Sequence, residues 1–168
     1  MKILTESEFR DLEKYISKLR KEIELCAQCG AYLAGCFMAG ALLEALLLAM
    51  STVYPEETER ARLLLNEKNR KITNNPKKWT LNDLLHIAFE AGWLPFEGTM
   101  NPNKGRLGDW LLNFVKEMRN WIHPGIKIRK YKEIKVTKKH FIISKDLVYA
   151  VSDVLLNKIT TDLLKKLK

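Results

Sequence analysis

With 168 residues, 46% apolar and 29% charged, the chain can bury a core without disulfides or a structural metal, and its composition is globular rather than disordered. Eight glycines and five prolines are too few turn formers for a β-sandwich or barrel. The net charge of +9 and the pI near 9.5 favour anionic partners, nucleic acid foremost, and equally suit a lysine-rich solubilising surface.

Residues 1–168 read as one domain. Met1 to Leu4 runs directly into polar Thr5-Glu6-Ser7-Glu8, so no signal-peptide core is present and a cytoplasmic protein with reduced thiols is expected. Thr5 and Glu8 have capping-box spacing, and Phe9, Leu12, Tyr15, Ile16, Leu19 and Ile23 recur at helical steps, which predicts an amphipathic helix to about Leu25. Leu25 to Met50 carries a single charge, Glu44. It is long enough to cross a bilayer. Glu44 would cost about 2.5–3.5 kcal/mol near a bilayer centre, and the flanks lack an aromatic belt. Ala31, Gly35 and Ala39 form a small-residue stripe that lets another backbone approach. A buried central helix is therefore favoured over a membrane span. Cys26 and Cys29 form a C-x-x-C without the second pair a zinc site requires. Cys29 and Cys36, two helical turns apart, are expected to share a buried face, and neither a metal nor a cofactor is implied.

Ser51 to Pro55 reads as a break before a short helix from Glu56 to about Leu65, and polar Asn66 to Lys78 reads as a loop. Thr80 caps a helix, with Asp83 three residues on, and Gly92 stops it. Leu94 to Gly105 is an irregular connection. Leu107 to Ile122 predicts a long amphipathic helix ended by Pro124-Gly125. From Ile126 to Ile143 apolar residues alternate with lysines, a strand-like period. Leu147, Val151, Val154, Leu155, Ile159 and Leu163 predict a closing helix from Lys145 to Leu167. The expected fold is all-α, an antiparallel four- to five-helix bundle with a short β-hairpin or extended arm at about 126–143. Trp79 and Trp93 are expected to be exposed aromatics that a dimer could cover.

Unusual chemistry concentrates in Arg119-Asn120-Trp121-Ile122-His123-Pro124. Arg119 and His123, four residues apart, would lie about 40° apart around a helix. Arginine offers a planar, permanently charged fork for a phosphate, and histidine exchanges a proton near neutrality. Those are two of the parts phosphodiester cleavage needs. The same residues also suit a plain helix end, with Arg and His on the last carbonyls and Pro-Gly stopping the helix.

Met118 to Gly125 resembles the R-N-x-x-H-P ending of helical domains in the HEPN superfamily (higher eukaryotes and prokaryotes nucleotide-binding). Ala39 to Leu47, an apolar helix with one glutamate, and the Thr80–Leu85 helix occur in the same order as in that family. The resemblance spans about residues 31–124. It implies a helical bundle that dimerises so that two Arg-His motifs meet, cutting RNA without a metal. It also implies possible partner proteins and a role in defence or toxin systems. By this resemblance Arg119 would stabilise the phosphorane, His123 would transfer a proton or orient the phosphate, and Asn120 would position both. The family usually has four to six residues between Arg and His, and here there are three, which rotates the histidine by about 100°. A non-catalytic HEPN-like module binding nucleic acid, a nucleotide or a partner protein is the alternative.

The segment after the motif contains Lys127, Arg129, Lys130, Lys132, Lys135, Lys138 and Lys139 around one acid, Glu133, with Tyr131 and Phe141 interleaved. It would form an electrostatic track for an RNA backbone with an aromatic for stacking, or a solvated strand whose lysines prevent edge pairing. Glu44, in the apolar helix, wants a partner, and Arg119 is a candidate. His86 reads as a core or rim histidine and His140 as isolated in a lysine run. No phosphate-binding glycine loop, zinc-helix motif or serine nucleophile elbow is present.

Overall fold

A computed structural model describes residues 3–95, 107–122 and 135–166. Among them are six α-helices and no strand: α1 (Glu6–Gln28), α2 (Tyr32–Val53), α3 (Pro55–Glu67), α4 (Leu81–Glu90), α5 (Leu107–Ile122) and α6 (Lys138–Lys166), with a 3-10 turn at Pro76–Lys78. The all-α helical bundle expected from the sequence is present.

Local chemistry sets most of the boundaries. At the start of α1 the Thr5 hydroxyl accepts from the Glu8 amide at 3.2 Å, while the Glu8 carboxylate accepts from the Thr5 amide at 2.8 Å. Thr80 and Asp83 repeat that reciprocal cap on α4. Pro55 opens α3, where its missing N–H has no helical partner to lose. Three helices then stop in the same way, with a left-handed residue followed by a wrap-back hydrogen bond. Gly30 (φ 68°) follows α1, Asn69 (φ 64°) follows α3 and Gly92 (φ 72°) follows α4. The next residues donate back: Ala31 to the Cys26 carbonyl, Arg70 to Leu65 and Trp93 to Ala88, each at 2.9 Å.

The Gly30 stop corrects one expectation. The apolar run from Leu25 is not a single helix; its first residues finish α1, and the central helix begins at Tyr32. Cys29 and Cys36 therefore lie on different helical segments, Cys29 exposed and Cys36 buried, with Cys26 between these extremes.

α2 is the hub and touches all five other helices. Leu42, Leu43 and Leu47 are completely buried along it, with Cys36, Ala39 and Met50 beside them. Each such leucine contributes about 1.5–3 kcal/mol of burial. α2 is also the one helix among the described residues long and apolar enough to cross a membrane, and it is used as a core helix, half buried against its neighbours. The small-residue stripe on α2 admits a side chain rather than a backbone. The Phe141 ring of α6 sits so close to Gly35 that a Cβ there would collide with it. Polar contacts tie α1 to α6: the Lys145 ammonium and the Tyr149 hydroxyl both donate to Glu24 at 2.9 Å, and Arg20 donates to Ser152 at 2.6 Å.

α6 begins at Lys138, seven residues before the position expected from apolar periodicity. The strand-like alternation therefore fails over 138–143, which is helical; the rest of that ambiguous segment up to residue 134 lies outside the described residues. Trp79 and Trp93 are not exposed either, at 6% and 2% accessibility. Each has its indole N–H satisfied, Trp79 by the Thr73 carbonyl at 2.7 Å and Trp93 by Glu57 at 2.6 Å. That satisfaction is what permits an indole to be buried.

Candidate functional site

α5 ends on the motif. Leu111 is fully buried on its inner side, and Leu112, Phe114 and Val115 are partly buried against the core, so the helix is anchored against α4 and α2. Arg119 and Asn120 lie in its last turn. His123, Lys127, Arg129, Lys130, Tyr131 and Lys132 lie outside the described residues.

Alongside α5 runs an open groove of about 220 Å³, lined by Trp110, Asn113, Phe114 and Glu117 from α5 and by His140, Ile143 and Leu147 from α6. One turn beyond Glu117 the backbone reaches Asn120. His140 is placed by the start of α6: its Nδ1 accepts from the Thr137 amide at 3.1 Å and lies 2.9 Å from the Thr137 hydroxyl. Accepting at Nδ1 assigns the ring proton of the neutral imidazole to Nε2. The histidine that looked isolated among lysines is therefore a helix cap, and it lines the same groove as the helix that carries Arg119 and Asn120. The signal was in the sequence: Thr137-x-x-His140 has capping-box spacing, with histidine where glutamate is usual.

Phe141, the aromatic next to His140, is 2% exposed. It packs near Tyr32, with ring centroids 6.0 Å apart. It is a core residue and is not available for base stacking.

Comparison with protein-family models, curated proteins and solved structures finds no match.

Glu44 is exposed on α2. The protein around its carboxyl still pushes it above the ordinary glutamate range, because burial disfavours the charged form. No hydrogen bond or ion pair joins it to another described residue. Contact with solvent, rather than a partner, makes the charge tolerable in the middle of an apolar helix.

His86 on α4 is half-buried, and its imidazole is pushed down to about 4, first by burial and then by the nearby Arg70 charge, with Asp83 opposing. At neutral pH it is uncharged. Among the described residues no cluster of His, Cys, Asp and Glu has the makings of a metal site.

A second polar cluster closes the far end of the bundle. The Lys158 ammonium lies 4.5 Å from the centre of the Tyr54 ring, 3.0 Å from Asp162 and 3.5 Å from Glu57. Tyr54 also donates to Asp162 at 3.1 Å, and Glu57 accepts from the buried indole of Trp93. Every charge here has a partner. The cluster fastens α6 to the start of α3 and leaves no group poised for chemistry.

Proposed function

We propose that the protein is a metal-independent endoribonuclease of HEPN type, acting on RNA as a homodimer in the cytoplasm. The observation that supports this reading most is the placement of Arg119-Asn120 in the last turn of an amphipathic helix within an all-α bundle, with His123 the next residue after that helix in the sequence. In the proposed reaction the ribose 2′-hydroxyl attacks the adjacent phosphorus and the 5′-oxygen leaves, giving a 2′,3′-cyclic phosphate. Arg119 stabilises the charge on the phosphorane, where a fixed guanidinium contributes most. His123 takes or returns the proton, and Asn120 positions the pair. Lys127, Arg129, Lys130 and Lys132 steer the backbone and Tyr131 stacks a base. A role in a defence or toxin system, with a partner protein, follows from the family resemblance alone.

The test is cleavage of a mixed RNA pool in excess chelator by the parent protein, Arg119→Ala and His123→Ala. Cyclic-phosphate ends produced by the parent, and lost in both folded variants, establish the activity. Absence of cleavage by the folded parent refutes it. The second reading, a non-catalytic module that binds nucleic acid, a nucleotide or a partner protein, draws support from the three-residue spacing of Arg119 and His123. It predicts binding without cleavage.

A further inference from the structure

Between the end of α3 and the start of α4, the stretch from Lys68 to Lys78 contains five cations and no acid. Its backbone is held at several points. Asn69 adopts the left-handed conformation, which lets the Arg70 amide donate a hydrogen bond to the Leu65 carbonyl at 2.9 Å. The Asn66 side chain grips Ile72 on both sides, its oxygen accepting from the Ile72 amide at 2.7 Å and its nitrogen donating to the Ile72 carbonyl at 3.0 Å. The buried Arg62 guanidinium donates to the same carbonyl at 3.3 Å while forking onto Glu59 at 2.7 and 2.9 Å. Further on, Trp79 holds the Thr73 carbonyl, and Asn75 caps the turn at Pro76–Lys78 by accepting from the Lys77 amide at 3.1 Å. Ile72 and Trp79 are the buried anchors, and every lysine and arginine from Lys68 to Lys78 is exposed.

Two of those cations are neutralised, Lys68 by Glu90 at 2.8 Å and Lys77 by Glu8 at 3.2 Å. Arg70, Lys71 and Lys78 have no carboxylate partner among the described residues. Arg70 stands near His86 on α4, which its charge helps keep neutral, so no second cation competes with it there. A pinned backbone lowers the ordering cost of engaging a ligand, and unneutralised cations on it raise the local concentration of anions.

We propose that the loop from Lys68 to Lys78 is a binding surface for the phosphate backbone of single-stranded nucleic acid, with Arg70, Lys71 and Lys78 as its contacts. The choice of a nucleic-acid strand as the anion rests on the ribonuclease reading; the loop is separate in sequence from the Arg119-His123 motif and carries none of its chemistry. Because the contacts are to phosphates, the surface carries little base preference.

The experiment is fluorescence-anisotropy titration of a labelled oligodeoxythymidylate, which has the phosphodiester backbone but no 2′-hydroxyl and so cannot be cut by the proposed reaction. The parent is compared with the triple variant Arg70→Glu/Lys71→Glu/Lys78→Glu. A control, Lys14→Glu/Lys18→Glu/Lys21→Glu at exposed positions of α1, makes the same change in net charge. The loop variant is expected to bind at least about tenfold more weakly at moderate salt, with a slope of log affinity against log salt shallower by about 2, the value for three lost phosphate contacts on a single strand. The control should stay within about threefold of the parent. Equal losses in both variants, an undiminished loop variant, no binding by the parent, or binding of phosphatidylserine vesicles in place of the oligonucleotide each overturn the proposal. Failure of RNA cleavage with this binding intact refutes the nuclease reading alone.

Discussion

The ring of Phe141 lies against Gly35, so that α6 and α2 meet where the central helix has no side chain. Cys26 of α1 is the next neighbour of the same point, 3.1 Å from where a Cβ would stand. Three helices therefore converge on a space that only glycine leaves open. Gly35→Ala is expected to destabilise the protein by about 1–3 kcal/mol, since the gain in helix propensity is smaller than the cost of moving a packed ring. Urea unfolding measures it. Adding Phe141→Leu to Gly35→Ala should cost less than the two single changes summed, because the smaller side chain relieves the collision. Strict additivity would mean that the two residues do not share this space.

Asn66 performs the work of a short strand partner for Ile72. Asn66→Ala removes the side-chain acceptor of the Ile72 amide, leaving it only the Arg70 carbonyl at 2.6 Å, and takes away one of the two donors to the Ile72 carbonyl. The expected loss is about 1–2 kcal/mol by equilibrium unfolding. Amide exchange at Ile72 should accelerate more than at Leu43 in the core. Asn66→Asp keeps the acceptor but loses the amide donor, and should fall between the two.

His86 makes stability depend on pH. Its folded pKa of about 4 is below the ordinary 6.5, burial being the main cause and Arg70 the second. The unfolded chain therefore takes up the proton more readily. The stability that this group contributes is complete above pH 6.5 and is lost as the pH falls towards about 4. Glu8, Glu24, Glu59 and Asp162 are held below their ordinary values by hydrogen bonds and ion pairs, so their contributions fade on acidification as well, in a lower range. The His86 share is isolated by comparison: His86→Gln should lose less stability than the parent between pH 6.5 and about 4. Parallel curves for the two proteins would remove His86 as the cause.

The thiols should react in a fixed order. Cys29 is exposed, Cys26 is partly covered with its thiol raised by burial, and Cys36 is buried with its thiol raised by burial, the nearby Ser144 opposing. Since the thiolate is the nucleophile, an alkylating reagent followed by mass spectrometry should label Cys29 first, Cys26 more slowly, and Cys36 only in denaturant. Early labelling of Cys36 would show that α2 and α6 separate readily in the native state.

Much of this fold was legible in the residues themselves. The caps at Thr5 and Thr80, the proline opening α3, the glycine after α4 and the full extent of α5 are local effects, decided within one or two turns of chain. Their signals survive in a linear sequence because the interacting groups are three or four residues apart. The place of Arg119 and Asn120 at the end of α5 is legible for the same reason. Other features depended on what packs against what. The apolar run through Cys26 and Cys36 hid a helix break, because Gly30 makes sense as a stop only when α1 and α2 fold back on each other. The alternation of lysines with apolar residues before Ser144 suggested a strand. The Thr137–His140 cap and the seat for Phe141 on Gly35 make its last turns helical instead. Trp79 and Trp93 can be buried because the Thr73 carbonyl, six residues back in the same loop, and Glu57 of α3 accept their indole protons. What the residues alone reveal is the helical character of the chain and those helix ends whose capping partners lie three or four residues apart. The tertiary structure alone decided which aromatic rings were buried, which histidine stood beside α5, and which lysines remained without a carboxylate, since each depends on atoms brought together from far apart in the chain.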